Sequence, residues 1–97
     1  MELGQRVRVV SVMYRTIPPG KPSNWRVWVS RPLRREVVGV FVGYRWRQNG
    51  NICGGYGSDD PAYFVERYPR TKVALVCVDK WTAPLVADPQ RCQPVSD

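Results

Sequence analysis

The chain of 97 residues contains no histidine. Histidine supplies the base of Ser-His and Cys-His nucleophile pairs, the zinc ligands of the H-E-x-x-H motif, and most proton shuttles and pH switches near neutrality. Its absence excludes those classes of site. Acidic residues are also few, eight against fifteen basic ones. Composition therefore favours a binding module over an enzyme, and we expect no cofactor.

Cysteine is scarce as well, and Cys53, Cys77 and Cys92 stand far apart. Without a C-x-x-C pair or a histidine they do not make up a structural zinc site, so we expect no metal. Cys77 lies in an apolar run and is predicted to be a small buried side chain. A disulfide between Cys53 and Cys92 is left open, because pairing depends on geometry.

Long apolar runs and a secretory signal are missing too. The longest nearly apolar stretch, residues 37–44, is far shorter than a membrane span. The first residues have neither a basic region nor an apolar core of the kind that directs secretion. We therefore expect a cytoplasmic protein without a membrane partner.

Carboxylates come close together in sequence only at Asp59, Asp60 and Glu66. Such a set could hold a divalent ion or carry out acid–base chemistry. Asp60 precedes Pro61, a position at which aspartate commonly forms local hydrogen bonds in a turn. We interpret these residues as turn and surface residues.

Positive charge, in contrast, is abundant and unevenly distributed. Residues 1–47 carry ten basic and two acidic side chains, a net charge of +8, and residues 48–97 carry five basic and six acidic ones, a net charge of −1. Twelve of the fifteen basic residues are arginine, which binds phosphate and carboxylate in bidentate fashion and stacks on aromatic rings. Either the first half faces an anionic partner, or the arginine reflects codon usage in a GC-rich genome.

Apolar and polar residues alternate with a period of two over most of the chain, which is typical of β-strands. Asn49-Gly50 predicts a tight hairpin turn. Residues 61–66 read either as one helical turn or as a short strand at 63–65, and residues 88–91 as a capped turn. The run Val9-Val10 predicts either a bulge or a strand end that is buried on both faces. The predicted strands are 5–13, 25–30, 36–47, 72–79 and 84–87, the fourth of them central.

The strand at 36–47 carries the clearest pattern. Its even positions, from Val38 to Trp46, form a continuous apolar face that we expect to be buried. Trp25 is expected in the core as well, whereas Trp28 has polar neighbours and is assigned to neither the core nor the surface. If Trp46 is a core residue, Trp46→Ala should cost about 3–5 kcal/mol.

These elements predict an all-β fold, a small barrel of five to six antiparallel strands with at most one short helical turn. Closure is expected because a small sheet with long exposed edges would aggregate. Residues 1–92 form the single predicted domain. It includes a long proline-rich loop at 14–24 and a basic turn at 31–35, and residues 93–97 are a predicted flexible tail.

Three features resemble small accessory proteins of phages and mobile elements. They are the G-x-x-V-G-x-R spacing from Gly39 to Arg45, the Asn49-Gly50 pair and a final P-L-V-A-D-P segment at 84–89. The resemblance covers roughly residues 36–92. It implies an SH3-like β-barrel and a counter-defence role of the anti-CRISPR type. The proline-rich loop and the arginine-rich first half are not part of that pattern.

A surface of interleaved arginine and aromatic residues is the candidate binding site. Alternation predicts that Arg26 and Trp28 share one face of a strand, and that Arg45 and Arg47 share a face of the next strand. The candidate binding residues are Arg15, Lys21, Arg26, Trp28, Arg34, Arg35, Arg45 and Arg47.

Three partners are consistent with such a surface. The first is a host protein or nucleoprotein complex that the chain occludes, since arginine and tryptophan are common interface hot spots. The second is nucleic acid, bound through phosphate contacts and stacking. The third is further copies of the chain in a virion or tail structure. We expect a monomer or a small homo-oligomer in the first two cases.

Overall fold

The computed structural model describes residues 1–55, 57, 59–79 and 82–95. It contains five strands and one turn of 3-10 helix, which confirms the all-β antiparallel prediction. The elements are β1 (Arg6–Thr16), β2 (Trp25–Cys53), β3 (Tyr63–Cys77), β4 (Leu85–Ala87), the 3-10 turn (Pro89–Arg91) and β5 (Cys92–Pro94).

The strands pair in a ring. β2 pairs with β1 on one side and β3 on the other, β4 pairs with β3, and β5 extends the sheet beyond β1. Between β1 and β4 the contact is short: Val12 is the register partner of Ala87, and the Asp88 amide donates to the Ser11 carbonyl at 3.1 Å. The ring is therefore barrel-like, but no continuous ladder joins β1 to β4.

The long strand β2 bends back so that its two ends lie side by side. The amide of Ile52 donates to the Asn24 carbonyl at 2.9 Å, and the side-chain amide of Asn24 donates to the Ile52 carbonyl at 2.8 Å. An extended strand of this length would separate its ends by roughly 90 Å. Register shifts against β3 between Phe41 and Gly43 and between Arg47 and Gly50 mark bulges, which bend a strand sharply.

Buried apolar side chains lie where β1, the middle of β2, the second half of β3 and β4 meet. They include Val7, Val9, Phe41 and Val76. The shape is elongated, 55 × 27 × 22 Å, with a radius of gyration of 16.1 Å. A compact domain of this size would measure about 12–13 Å. Part of the β2–β3 hairpin thus extends beyond the apolar core.

The apolar face predicted for residues 36–47 is wrong except at Tyr44, which is half-buried and packs against the core. Val38, Val40 and Val42 are exposed, and Trp46 is 59% exposed, whereas Phe41 on the opposite face is only 2% exposed. Gly39 shares that inner face, and a Cβ there would lie 2.6 Å from the Val76 side chain. The glycine face turns inward because the neighbouring strand packs directly against it.

The predicted core positions of Trp25 and Cys77 are wrong as well, because both residues are only half-buried. The Trp25 ring contacts the Tyr68 ring with 6.0 Å between centroids. Cys53, Cys77 and Cys92 are all free thiols. The structure thus gives no disulfide between Cys53 and Cys92.

The hairpin turn predicted at Asn49-Gly50 is also wrong, because β2 continues through both residues to Cys53. A Cβ on Gly50 would overlap the Val65 carbonyl oxygen, so the facing strand approaches the backbone closely here. The chain reverses instead between β2 and β3, where Gly54 has a φ of +82°. The alternative left open for residues 61–66 is resolved as strand, since β3 begins at Tyr63.

Other boundaries moved by a few residues. β1 continues to Thr16, so the proline-rich loop is shorter than predicted. Residues 31–35, predicted as a turn, lie within β2, where 31 and 32 pair with β1 and 33–36 form a bulge. The register of β1 against β2 shifts between Val9 and Ser11, which supports the bulge alternative at this place, although the extra residues lie in β2. The short strand within residues 84–89 and the capped turn are confirmed, with Asp88 accepting a hydrogen bond from the Gln90 amide at 3.0 Å.

The predicted tail contributes to the sheet. Gln93 and Pro94 belong to β5 and are register partners of Arg8 and Val7. The Val95 amide then donates to the Arg6 carbonyl at 3.0 Å. Residues 96 and 97 lie outside the described part of the chain.

Candidate functional site

An open cleft of about 630 Å³ lies where the ends of β2 meet β1 and β3. Three of its lining residues are aromatic and three are arginines. The lining residues are Arg15, Trp28, Trp46, Arg47, Gln48, Phe64 and Arg70. We call it the arginine–aromatic cleft.

Arg15, Trp28 and Arg47, all predicted site residues, come together in this cleft. Arg15 is the register partner of Trp28 across the β1–β2 ladder. The Arg47 guanidinium lies over the Trp28 ring, 5.7 Å from its centroid, which is within cation–π distance. The fold of β2 creates this contact, since the two residues lie on segments that only its bend brings together.

Neither Arg15 nor Arg47 is neutralised by a described carboxylate. Arg15 is exposed and makes no hydrogen bond or ion pair within the described chain. The Nε of Arg47 is buried and has no hydrogen-bond partner among the described residues. The cleft therefore presents two guanidinium groups whose charges are available to an anionic ligand.

A buried asparagine fixes the floor of the cleft. Asn49 is 5% exposed, and its Oδ1 accepts a hydrogen bond from the Trp28 amide at 2.7 Å. Its Nδ2 donates to the Pro69 carbonyl at 2.9 Å and to the Thr71 hydroxyl at 2.8 Å. One side chain thereby joins both ends of β2 and the bulged part of β3, where the backbone ladder is irregular.

Arg70 is the one cleft arginine whose charge is balanced. Its Nε lies 2.5 Å from Oε1 of Glu66, and the Gln48 side-chain amide donates to the same oxygen at 2.9 Å. The hydrogen bonds from Arg70 and Gln48 lower the pKa of the Glu66 carboxyl. Glu66 thus stays ionised at neutral pH and holds Arg70 beside the cleft.

Trp46 lines the cleft, and a lysine outside the cleft lies near its ring. The Lys72 ammonium lies 4.0 Å from the centroid of the Tyr44 ring and 6.0 Å from that of the Trp46 ring. Lys72 is also the register partner of Trp46. A positive charge therefore lies beside the exposed indole.

The other predicted site residues lie outside the cleft. Arg26 donates to the Ser23 and Trp25 carbonyls, and Arg45 donates to the Tyr44 carbonyl at 2.7 Å. Lys21 lies over the Trp25 ring at 4.6 Å. Arg34 and Arg35 line a separate groove on β2.

Sequence reasoning missed Trp46, Gln48, Phe64 and Arg70 as cleft residues. Trp46 was assigned to the core because its strand neighbours at even positions are valines. The i, i+4 spacing of Glu66 and Arg70 was the one signal of their ion pair, but such spacing is usually read as helical. Gln48 and Phe64 reach the cleft only because β2 bends back on itself, and no local sequence pattern indicates that bend.

Metal-ligating clusters and membrane-spanning helices are both absent from the described residues. Within the described ranges, no three metal-ligating side chains come close enough to hold an ion. No helix of the described residues is long and apolar enough to cross a lipid bilayer.

No protein-family model, curated protein sequence or solved structure gives a significant match to this chain. The phage resemblance and its counter-defence role therefore stay predictions.

Proposed function

We propose that this protein is a non-enzymatic module that binds single-stranded nucleic acid in the arginine–aromatic cleft. The observation that carries the proposal is the pairing of aromatic rings, exposed at Trp46 and half-buried at Trp28 and Phe64, with arginines that have no described carboxylate partner. Proteins that bind single strands combine a positive groove along the backbone with rings on which bases stack. Trp28, Trp46 and Phe64 supply rings, and Arg15 and Arg47 supply charges for phosphate.

The open form of the cleft supports the same ligand. Small-molecule sites are usually enclosed and mostly apolar, with few polar groups. This cleft is open and has polar groups on several strands, which suits a flexible polymer lying across the sheet. Arg70 is less important for charge, because Glu66 neutralises it at 2.5 Å.

The test is the binding of a fluorescein-labelled eight-nucleotide oligothymidylate, followed by anisotropy at several salt concentrations. We expect Arg47→Gln to weaken binding by about tenfold, as for loss of a hydrogen bond to a charged group. Trp28→Leu should weaken it about fivefold to a hundredfold, as for loss of one stacked base. The logarithm of the affinity should fall with the logarithm of salt concentration with a slope at least as steep as about −1.4, the value for the two phosphate contacts in the cleft.

Arg45→Gln is the matched control, since it removes the same charge two residues away from Arg47 and outside the cleft. It should change affinity less than about twofold. Equal losses in the Arg45 and Arg47 variants would mean that only the general field attracts the oligonucleotide. That result, or no binding by the wild type, would overturn the proposal.

A second candidate is a protein-binding module that occludes a host protein or nucleoprotein complex. The exposed valines of β2 favour it, because Val38, Val40 and Val42 are 37–42% exposed on one face of the strand. Contiguous exposed apolar side chains often mark protein interfaces. Binding to a protein partner that barely responds to salt and is lost in Val40→Asp, but not in Arg47→Gln, would favour this candidate.

A further inference from the structure

A wide bulge interrupts β2 beside the arginine–aromatic cleft. Val9 is the register partner of Val37 and Ser11 that of Pro32, so residues 33–36 of β2 lie opposite the single residue Val10. Bulged residues leave the regular ladder, so their backbone and side chains point in other directions than those of the flanking strand. Residues 31–35 line a groove of about 640 Å³ at this place.

The bulge carries positive charge that the described chain does not neutralise. Its one acid, Glu36, lies 3.3 Å from the Nε of Arg8, an ion pair without hydrogen-bond alignment. Arg34 and Arg35 are exposed and make no hydrogen bond or ion pair within the described residues. The guanidinium of Arg31 lies 5.1 Å from the centroid of the Tyr14 ring.

The bulge continues from the cleft on the same side of the sheet. Trp28, Ser30 and Pro32 alternate along β2 and therefore share one face. Trp28 lines the cleft and Pro32 lines the bulge groove, with exposed Ser30 between them. Four residues of strand span about 13 Å. At about 3.4 Å per stacked nucleotide, this distance corresponds to roughly four nucleotides.

We propose that one strand of nucleic acid occupies both places, with its bases in the cleft and its backbone phosphates on Arg34 and Arg35. This inference rests on the proposed function, and it adds a second contact point and a footprint of about six to eight nucleotides. Arginine suits the role because its planar fork binds phosphate oxygens in pairs. Phosphate contacts of this kind position the strand and carry no sequence information.

The experiment compares oligothymidylates of four and eight nucleotides on the wild type and on Arg34→Gln/Arg35→Gln. The double variant should lose about tenfold in affinity for the eight-nucleotide probe, and its salt slope should become less steep by about 1.4 for two lost phosphate contacts. Its affinity for the four-nucleotide probe should stay within about twofold, because four nucleotides whose bases are held in the cleft leave no chain to cross the further distance of about 13 Å to the bulge. The charge-matched control is Arg45→Gln/Arg91→Gln, which should leave both probes within about twofold.

The outcomes separate this inference from the function on which it rests. If the wild type binds neither probe, the proposed function fails and the inference fails with it. If the wild type binds both and Arg34→Gln/Arg35→Gln binds the longer probe as well as the control does, the cleft stands and the bulge contact is overturned. An equal loss for both probe lengths would overturn it too, since it would show a general charge effect.

Discussion

Removing the Asn49 side chain should destabilise the whole fold, although Asn49 lies outside the apolar core. Asn49→Ala deletes three hydrogen bonds, to the Trp28 amide, the Pro69 carbonyl and the Thr71 hydroxyl, at 2.7–2.9 Å. At about 1 kcal/mol for each bond, the free energy of unfolding should fall by about 3 kcal/mol. A domain of this size loses about 4–8 °C of melting temperature per kcal/mol, so the Tm should fall by roughly 12–24 °C.

Thermal and urea unfolding followed by circular dichroism measure this loss. The control is Gln48→Ala, the next residue along β2, whose exposed side chain makes one hydrogen bond to Glu66 at 2.9 Å. It should cost less than about 0.5 kcal/mol. Thr71→Val removes one Asn49 bond, so the double variant Asn49→Ala/Thr71→Val should lose about 1 kcal/mol less than the sum of the single losses.

The reasoning would be refuted if Asn49→Ala melted within about 3 °C of the wild type. Water would then have replaced the side chain, and the two ends of β2 would be joined by other contacts. Additive losses in the double variant would show separately that the bond between Asn49 and Thr71 contributes nothing.

Three further outcomes are expected. Trp46→Ala should lower the free energy of unfolding by less than about 1 kcal/mol because the Trp46 ring is mostly exposed, whereas Phe41→Ala should lower it by about 3–5 kcal/mol. Equal losses in urea unfolding would contradict the strand orientation described above. Gly50→Ala should prevent stable folding, judged by circular dichroism, because its Cβ would overlap the facing strand, while Gly57→Ala, with nothing within 4 Å, should fold normally. Burial raises the pKa of the Cys92 thiol, so Cys92 should react slowly with iodoacetamide at pH 8. The free energy of unfolding should decline as the pH rises above the ordinary pKa of 9.0, because there the thiol ionises in the unfolded chain and stays protonated in the folded one. Rapid alkylation of Cys92 in the folded protein would argue against that burial.

The all-β fold, the apolar second half of β3 and the capped turn at Asp88 could be predicted from the sequence, because strand patterns and capping act between near neighbours. The bounds 72–79 could not, since β3 runs from Tyr63 to Cys77. The content of the cleft could be predicted only in part. Arg15, Trp28 and Arg47 are predicted as members of an arginine–aromatic pattern, which requires no knowledge of tertiary contacts, although the pattern leaves open whether Trp28 is buried or exposed. Trp46 was misassigned, because an apolar pattern identifies a face of a strand without saying which way that face turns.

Tertiary structure decided the direction of β2. Counting apolar residues favours the face of Val38, Val40 and Val42, but inside a narrow ring the neighbouring strand comes too close for a row of branched side chains. The opposite face, with Gly39 and Phe41, fits because the glycine admits the Val76 side chain. Long-range packing therefore overrode the local pattern.

Asn49 and Gly50 show the same division between sequence and tertiary structure. As a dipeptide they favour a turn, since both tolerate positive φ. In the fold, the Asn49 side chain bonds two other segments and Gly50 admits the Val65 carbonyl, and both uses require strands distant in sequence. The sequence by itself determined the strands, the net charge and the number of aromatic and arginine side chains. The bend of β2 decided which of these side chains contact one another, because contacts between segments some twenty residues apart leave no periodic pattern in the sequence.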